Sequence, residues 1–210
     1  MRSLPPFSLS GFLKFFLLAA LAAGGGLSTR VIGGTDGSPI LRRDSTVEKT
    51  TVVQNPGKTE FAFSPGNEST ELVVKVIRSA KKKIRLAAYS FTSAPLAEAL
   101  VAAHRAGVDV QVVLDKSNAT AKYSSATFLA NAGVPTRIDS KHPIAHSKYM
   151  VLDDKTVETG SFNYTKAAMR NSENVLVFWD SPEIAKTYSI NWQLHWDHST
   201  VYGRPASGEK

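Results

Sequence analysis

Apolar residues recur at helical spacing in four segments of the chain. In residues 69–82 the apolar positions Leu72, Val73, Val76 and Ile77 fall three or four residues apart, after a Ser or Thr that can cap a helix. Residues 94–107 repeat this pattern and end at Gly107, as helices commonly do. The same pattern predicts two further helices, over residues 124–133 and from Pro182 to about His198.

Between these helices lie shorter runs rich in β-branched residues, which predict strands over residues 83–91, 108–115, 134–139 and 174–180. Residues 147–153 and 156–161 predict a hairpin that turns at Asp154 and Lys155. Strands that alternate with helices indicate an α/β fold: a mixed β-sheet flanked by helices on both faces. Tyr89 and Phe91, at the end of the first strand, are expected in the core.

The N-terminus has the pattern of a secretory signal peptide. Arg2 and Lys14 precede an apolar run over residues 15–23, within which Ala20-Leu21-Ala22 fits a small-residue cleavage site. A membrane anchor is the alternative, but the run is shorter than the roughly 20 apolar residues that span a bilayer. We expect a signal over residues 1–23 and a secreted, periplasmic product without a stable membrane anchor.

The rest of the chain divides at changes in composition. Residues 24–58 carry Gly, Ser, Thr, Pro and scattered charges without a period, which predicts a flexible leader with little structure of its own. Residues 59–200 form the predicted domain, and residues 201–210 a C-terminal tail. No internal repeat is visible.

Composition narrows the function. The 210 residues include no Cys, which excludes disulfides and Cys-ligated zinc. The net charge of +7, or +5 once Arg2 and Lys14 are removed, favours polyanionic partners such as nucleic acid or anionic lipid.

The candidate chemistry lies in the segment HSKYMVLDDKTVETGSFNYT, residues 146–165. Residues two apart on a strand face the same way, so His146 and Lys148 share a face, as do Ser161 and Asn163. A fixed positive charge beside neutral donors suits a tetrahedral anion such as phosphate, and a neighbouring His can attack phosphorus or transfer a proton. Glu173 is the nearest downstream acid that could orient the His.

Other candidates receive structural interpretations. Asp153 has the opposite parity to Lys148, which predicts a structural or orienting role and argues against a direct catalytic one. His142 and His146 are four apart, but Pro143 argues against a helical zinc pair. His195 and His198 are interpreted as packing or surface residues. We therefore expect no carboxylate–imidazole group with ligand geometry, no metal and no cofactor.

The pattern His146-x-Lys148-x4-Asp153-x6-Gly160-Ser-x-Asn163 resembles the signature of the phospholipase D superfamily. The surrounding FSPG, AAYSFTS, ETGSFNYTKAA and NSENVLVFWD segments resemble its small bacterial endonuclease branch. The resemblance spans roughly residues 61–196. It implies a phospholipase D-like fold and a metal-independent reaction through a phosphohistidine.

The resemblance also implies roles for individual residues. His146 becomes the nucleophile or the acid, and Lys148, Ser161 and Asn163 become phosphate ligands. Glu173 becomes a partner of His146, and Asp153 is grouped with the catalytic motif. Gly160 would let the backbone approach the phosphate.

The resulting hypothesis is a nonspecific endonuclease acting on DNA, with RNA as a second substrate. A lipid hydrolase with the same chemistry and a non-catalytic nucleic-acid-binding protein are the alternatives. Because the mechanism needs two imidazoles and the motif occurs once, we expect a homodimer with a shared active site.

Overall fold

The computed structural model describes residues 32–33, 39–40, 55 and 57–203. The expected signal, most of the leader and residues 204–210 lie outside the described part. Contacts divide the chain into two compact units, Met1–Thr50 and Thr51–Lys210. In the first unit, β1 (Ile32–Gly33) pairs antiparallel with β2 (Pro39–Ile40), a short ladder inside the segment expected to have little structure.

The second unit contains one eight-stranded sheet and four α-helices among the described residues. The strands are β3 (Thr59–Ser64), β4 (Lys83–Ala88), β5 (Asp109–Asp115), β6 (Thr136–Asp139), β7 (Lys148–Leu152), β8 (Thr156–Gly160), β9 (Glu173–Phe178) and β10 (Thr200–Val201). The helices are α1 (Glu68–Ser79), α2 (Ala94–Arg105), α3 (Ala126–Asn131) and α4 (Pro182–His198). The predicted α/β fold with a mixed sheet is confirmed.

The strand order is β10-β6-β5-β4-β7-β8-β9-β3. Strands β4, β5 and β6 are parallel to one another, and every other neighbouring pair is antiparallel. This topology brings the C-terminal ends of β4, β5, β6, β8 and β3 to one edge, together with the N-terminal ends of β7 and β9. We call this edge the site edge.

Helices cover both faces of the sheet, so its central strands are almost continuously apolar. On one face α1, α2 and α3 pack over a core that includes Leu86, Val112 and Met150. On the other face α4 packs Trp192 against residues of opposite parity, such as Ala87 and Tyr149. The alternating direction of side chains along each strand thus divides one sheet between two cores.

Several boundaries differ from the sequence predictions. The first predicted strand ends at Ala88 rather than at residue 91, because the Asn118 side chain binds the Tyr89 carbonyl and the Phe91 amide at 2.5 and 3.3 Å. Phe91 is buried as expected, whereas Tyr89 is only half-buried. The edge strands β3 and β10 were not predicted. Within the described residues, no helix has both the length and the apolar character needed to cross a membrane.

Candidate active site

The centre of the site edge is the start of β7, where a charged side chain lies in the interior. Lys148 is 6% exposed. Its Nζ lies 2.8 Å from Nδ1 and 3.2 Å from Nε2 of the His146 ring, and it donates to the His146 carbonyl at 2.7 Å. The expected sharing of a face by these two residues is therefore confirmed, with the imidazole exposed and the ammonium beneath it.

An aromatic side chain completes this contact. The Tyr89 ring lies 4.5 Å from the His146 ring, and Lys148 Nζ lies 5.3 Å from the Tyr89 centroid. Tyr89 follows the C-terminal end of β4, whose last residue, Ala88, is paired with Lys148. The local sequence predicts a core position for Tyr89, because the strand pairing that brings it to His146 joins segments that are distant in sequence.

Burial lowers the pKa of Lys148, while the nearby Glu173 carboxylate raises it. Desolvation is the larger effect, because removing an ammonium from water disfavours its charged form. An incompletely solvated cation at this position interacts more strongly with an incoming phosphate than one in open water does.

Ser161 and Glu173 meet across β8 and β9. Ser161 Oγ donates to Glu173 Oε2 at 2.5 Å and accepts from the Asn174 amide at 3.1 Å, while the Ser161 amide donates to Asn174 Oδ1 at 2.9 Å. Asn171 Nδ2 donates to the other Glu173 oxygen at 3.1 Å. The prediction that Glu173 orients His146 is not supported, because the hydrogen-bond partners of this carboxylate are Ser161 and Asn171.

Gly160 ends β8, and Asn163 follows it by three residues. A Cβ at residue 160 would lie 2.2 Å from the Asn174 carbonyl oxygen, so the close approach that requires glycine is to β9. That Gly160 also lets the backbone approach a phosphate stays a prediction. The Asn163 side-chain oxygen is buried without a hydrogen-bond partner. This oxygen is an acceptor, so only the Nδ2 group of the same amide could donate to a phosphate oxygen.

Asp153 lies at the other end of β7. Asp153 comes five residues after Lys148. At about 3.3 Å per residue along a strand, the two residues lie roughly 16 Å apart. Its carboxylate accepts from the amides of Lys81, Lys82 and Lys83 at 2.8, 2.8 and 2.9 Å. Burial raises the pKa of Asp153, but these amides outweigh it and the net pKa is lowered. Its grouping with the catalytic residues is therefore wrong, and its structural role agrees with its parity.

A buried acid beneath the site was missed. Glu158 on β8 is 1% exposed and accepts from the Tyr164 hydroxyl at 2.6 Å. Burial raises the pKa of Glu158 to about 8, against the lowering effect of Tyr164. Acidic side chains seldom occupy core strands, so nothing in the local sequence marks Glu158 as buried. Its burial follows from the fold, which covers both faces of β8.

A second polar cluster lies beside α4. Asp139, at the end of β6, is fully buried, and His142, His195 and His198 surround it. The expectation that no carboxylate–imidazole group has ligand geometry is therefore wrong. His195 and His198 are partly exposed and pack against each other as predicted, but they also contact the buried Asp139 carboxylate. Fifty-three residues separate His142 from His195, so no local spacing reveals the group.

A buried lysine against an exposed imidazole, with hydroxyl and amide groups at the ends of neighbouring strands, defines a site for phosphodiester chemistry. The family described as "Cardiolipin synthase, PLD-like domain" matches residues 73–196. The chain belongs to the phospholipase D superfamily and is a phosphodiester hydrolase.

Individual relatives agree with this assignment. "Phospholipase D" of Rickettsia bellii is 38% identical over 136 residues, which cover 64% of this chain and 67% of the relative. "Mitochondrial cardiolipin hydrolase" of Xenopus laevis is 34% identical over 140 residues, or 66% of this chain and 63% of the relative. The crystal structure of Nuc, a phospholipase D family member from Salmonella typhimurium, superposes with a TM-score of 0.67 and 44% identity, covering 69% of this chain and 97% of that one.

Proposed function

We propose that the protein is a nonspecific endonuclease that hydrolyses DNA, and RNA as a second substrate, through a phosphohistidine intermediate. The observation that carries this proposal is the contact between exposed His146 and buried Lys148. In the proposed mechanism the exposed imidazole is the nucleophile that a scissile phosphate can reach, and the buried ammonium beside it stabilises the phosphate charge.

The reaction has two steps. A neutral His146 nitrogen attacks phosphorus, so that a P–N bond forms as the P–O bond to the leaving group breaks, and a second imidazole supplies the proton for that oxygen. Water then attacks phosphorus, the P–N bond breaks, and the second imidazole takes a proton from the water. Lys148, Ser161 and Asn163 hold the nonbridging oxygens, which supports a reaction that needs no divalent ion at phosphorus.

The charge along the site edge favours nucleic acid. The loops that follow β5, β6 and β8 carry exposed Lys116, Lys122, Lys141, Lys166 and Arg170. The two acids that end β5 and β6, Asp115 and Asp139, are buried. We call the five exposed cations, Lys116, Lys122, Lys141, Lys166 and Arg170, the basic rim. A positive rim around a phosphate-binding centre suits a polyanionic backbone and requires no base contacts.

The same chemistry on a phospholipid is the second candidate, because the relatives from Rickettsia bellii and Xenopus laevis bear the names of lipid hydrolases. One experiment separates the two. The purified protein is incubated in EDTA with plasmid DNA or with cardiolipin vesicles, beside His146→Ala and the control His104→Ala, which replaces an imidazole at the end of α2.

Plasmid nicking by the wild type and the His104→Ala control, but not by His146→Ala, supports the nuclease. Hydrolysis of the vesicle lipid without plasmid nicking would favour a lipid hydrolase over the nuclease. Binding of DNA without any hydrolysis would favour the non-catalytic alternative. Activity that appears only when magnesium is added to a folded protein would contradict the metal-independent step.

We also propose that the active site is shared in a twofold homodimer. The chain has five His, all within the described residues. Three of the other four lie at Asp139, and His104 Nε2 faces Gly133, so none of them joins His146. A second copy of the chain would supply the second His146 across an isologous interface.

Subunit mixing tests the shared site. When His146→Ala subunits exchange freely with wild type, activity should fall roughly as the square of the wild-type fraction. A linear fall would mean that each chain completes its own site.

Export is a further part of the proposal, supported by residues 15–23 and the Ala20-Leu21-Ala22 pattern. N-terminal sequencing of the periplasmic protein should find cleavage near Ala22 or Ala23. Retention of Met1 on a membrane-bound product would contradict it.

A further inference from the structure

The Asp139 cluster lies on the opposite face of the sheet from the catalytic imidazole. His146 and Lys148 share the parity of Met150, which faces α1 and α2, whereas Tyr149 faces α4. Asp139 ends β6, His142 lies in the following loop, and His195 and His198 occupy the last turn of α4. The cluster therefore joins three segments and is separate from the phosphate site.

The four side chains converge on one point. One ligand atom from each lies within 4.8 Å of the others. Asp139 Oδ2 is 2.7 Å from His195 Nδ1, 3.1 Å from His198 Nε2 and 3.2 Å from His142 Nδ1. In a tetrahedral zinc site with bonds of 2.0–2.1 Å, neighbouring ligand atoms are about 3.3 Å apart. The three distances from Asp139 are shorter than this value, and all four ligand atoms lie within 4.8 Å of one another, so a small outward shift of the rings would admit the ion.

The three rings are also arranged symmetrically. Their centroids are 5.0, 5.3 and 5.4 Å apart, so they form a nearly equilateral triangle above the carboxylate. Such a triangle presents three nitrogen lone pairs to a common centre when the imidazoles are neutral.

Hydrogen bonds to Asp139 do not satisfy every ring nitrogen of the three histidines. His198 Nε2 is buried and forms no hydrogen bond, although Oδ2 lies only 3.1 Å away. A buried ring nitrogen directed past its nearest acceptor is unsatisfied, which is costly unless another partner binds it.

We propose that Asp139, His142, His195 and His198 bind one zinc ion as a structural site. Three imidazoles and one carboxylate in a compact tetrahedral set suit zinc better than magnesium or calcium, which prefer oxygen ligands. Four protein ligands leave no open position for substrate, so the ion acts on the fold. The partly exposed His142 provides the route of entry.

The ion would fasten the C-terminal end of α4 to the loop between β6 and β7. That loop continues to His146 four residues after His142, and its far end is held by the Ala145 amide donating to Asp115 Oδ2 at 2.8 Å. Arg137 donates to the Trp196 carbonyl at 2.8 Å beside the cluster. Zinc at Asp139 therefore adds a second anchor to the loop that carries the nucleophile.

The test uses the tag-free full-length chain, stripped with chelator and exchanged into chelator-free buffer. Calorimetry should find one zinc per chain, and cobalt in place of zinc should give the intense visible absorption of tetrahedral coordination. Zinc at one hundred times its dissociation constant should raise the melting temperature by about 5–10 °C.

Asp139→Asn and His198→Gln each remove one ligand and should weaken zinc binding by more than about 100-fold, since loss of an outer-shell partner alone costs 10–100-fold. His104→Gln, the same substitution outside the cluster, should bind like wild type. Circular dichroism identifies folded variants, and His198→Gln, on the partly exposed helix end, provides the test if Asp139→Asn does not fold.

No zinc binding by the folded wild type would overturn the proposal. Unchanged binding in His198→Gln, or the weak absorption of octahedral cobalt, would do so as well. The result is independent of catalysis, because stoichiometry, spectrum and melting temperature are measured without substrate.

Discussion

At the scale of single residues, the site depends on a cation held where water is scarce. Lys148 is buried against the His146 ring, and the nearby Glu173 carboxylate offsets part of its desolvation without forming an ion pair with it. The Lys148 ammonium is therefore in place before a phosphate binds. Little reorganisation is then needed when charge develops on the transferring phosphoryl group.

Lys148→Ala should therefore reduce kcat by at least about 10²–10³-fold, the usual cost of losing one preorganised donor to a transition-state oxyanion. Lys155→Ala is the control, since Lys155 is an exposed lysine in the turn between β7 and β8. Steady-state kinetics on an oligonucleotide substrate provide the measurement. A loss confined to KM would mean that Lys148 only binds the ground state.

Glu158 gives a prediction about stability. Its pKa is raised from its usual 4.5 to about 8, so the folded chain holds a proton that the unfolded chain releases between these pH values. The free energy of unfolding should therefore fall as pH rises through this window, by at most about 5 kcal/mol at about 1.4 kcal/mol per pKa unit.

Glu158→Gln should remove that fall while keeping an acceptor for the Tyr164 hydroxyl. The variant should match the wild type near pH 4 and exceed its stability above pH 8. Urea unfolding across this range measures the difference. If the difference in unfolding free energy between the variant and the wild type is the same at every pH, Glu158 has the same pKa in the folded and unfolded chains.

At the scale of elements, Asp153 fixes the turn after β7 to the connection between α1 and β4. Three backbone amides donate to one carboxylate, and the Asp153 amide donates in return to the Lys83 carbonyl at 3.1 Å. Helix α1 ends at Ser79, earlier than the predicted residue 82, and the three amides that bind Asp153 lead directly into β4.

Asp153→Ala should cost about 2–3 kcal/mol more in unfolding free energy than Asp154→Ala. Asp153 and Asp154 both have positive φ values, 51° and 57°. Asp154→Ala therefore serves as the control, because it has the same backbone cost but removes no contact with the three amides. The kcat of folded Asp153→Ala should stay close to that of wild type. A large fall in kcat at full folding would restore a catalytic role for this residue.

The elements also show what local sequence can predict. Helices α1, α2 and α4 and the β7–β8 hairpin follow from apolar periodicity and a turn at Asp154, and the His146–Lys148 face follows from strand parity. Strands β3 and β10 lie at the edges of the sheet, where half-exposed residues give no continuous apolar run. Tyr89, Glu158 and the Asp139 cluster depend on pairing between distant segments, which periodicity does not encode.

At the scale of the whole molecule, the basic rim should set the salt dependence of DNA binding. Replacing Lys122 and Lys166 together by Gln, in a His146→Ala background that does not cleave, should reduce the slope of log K against log salt by about 0.9 for each lost phosphate contact. Lys155→Gln in the same background should leave the slope unchanged. Equal slopes for all three proteins would show that DNA binds elsewhere.

The central claim, attack of His146 on phosphorus, is tested most directly by trapping the intermediate. A substrate labelled at its scissile phosphate is mixed with enzyme and quenched in alkali within one turnover, and the protein is digested and sequenced by mass spectrometry. We expect a base-stable, acid-labile adduct on His146 of the wild type, made of the labelled phosphate and the strand still esterified to it, and none on His146→Ala. Rapid hydrolysis with no label on the protein, or a label on another residue, would contradict it.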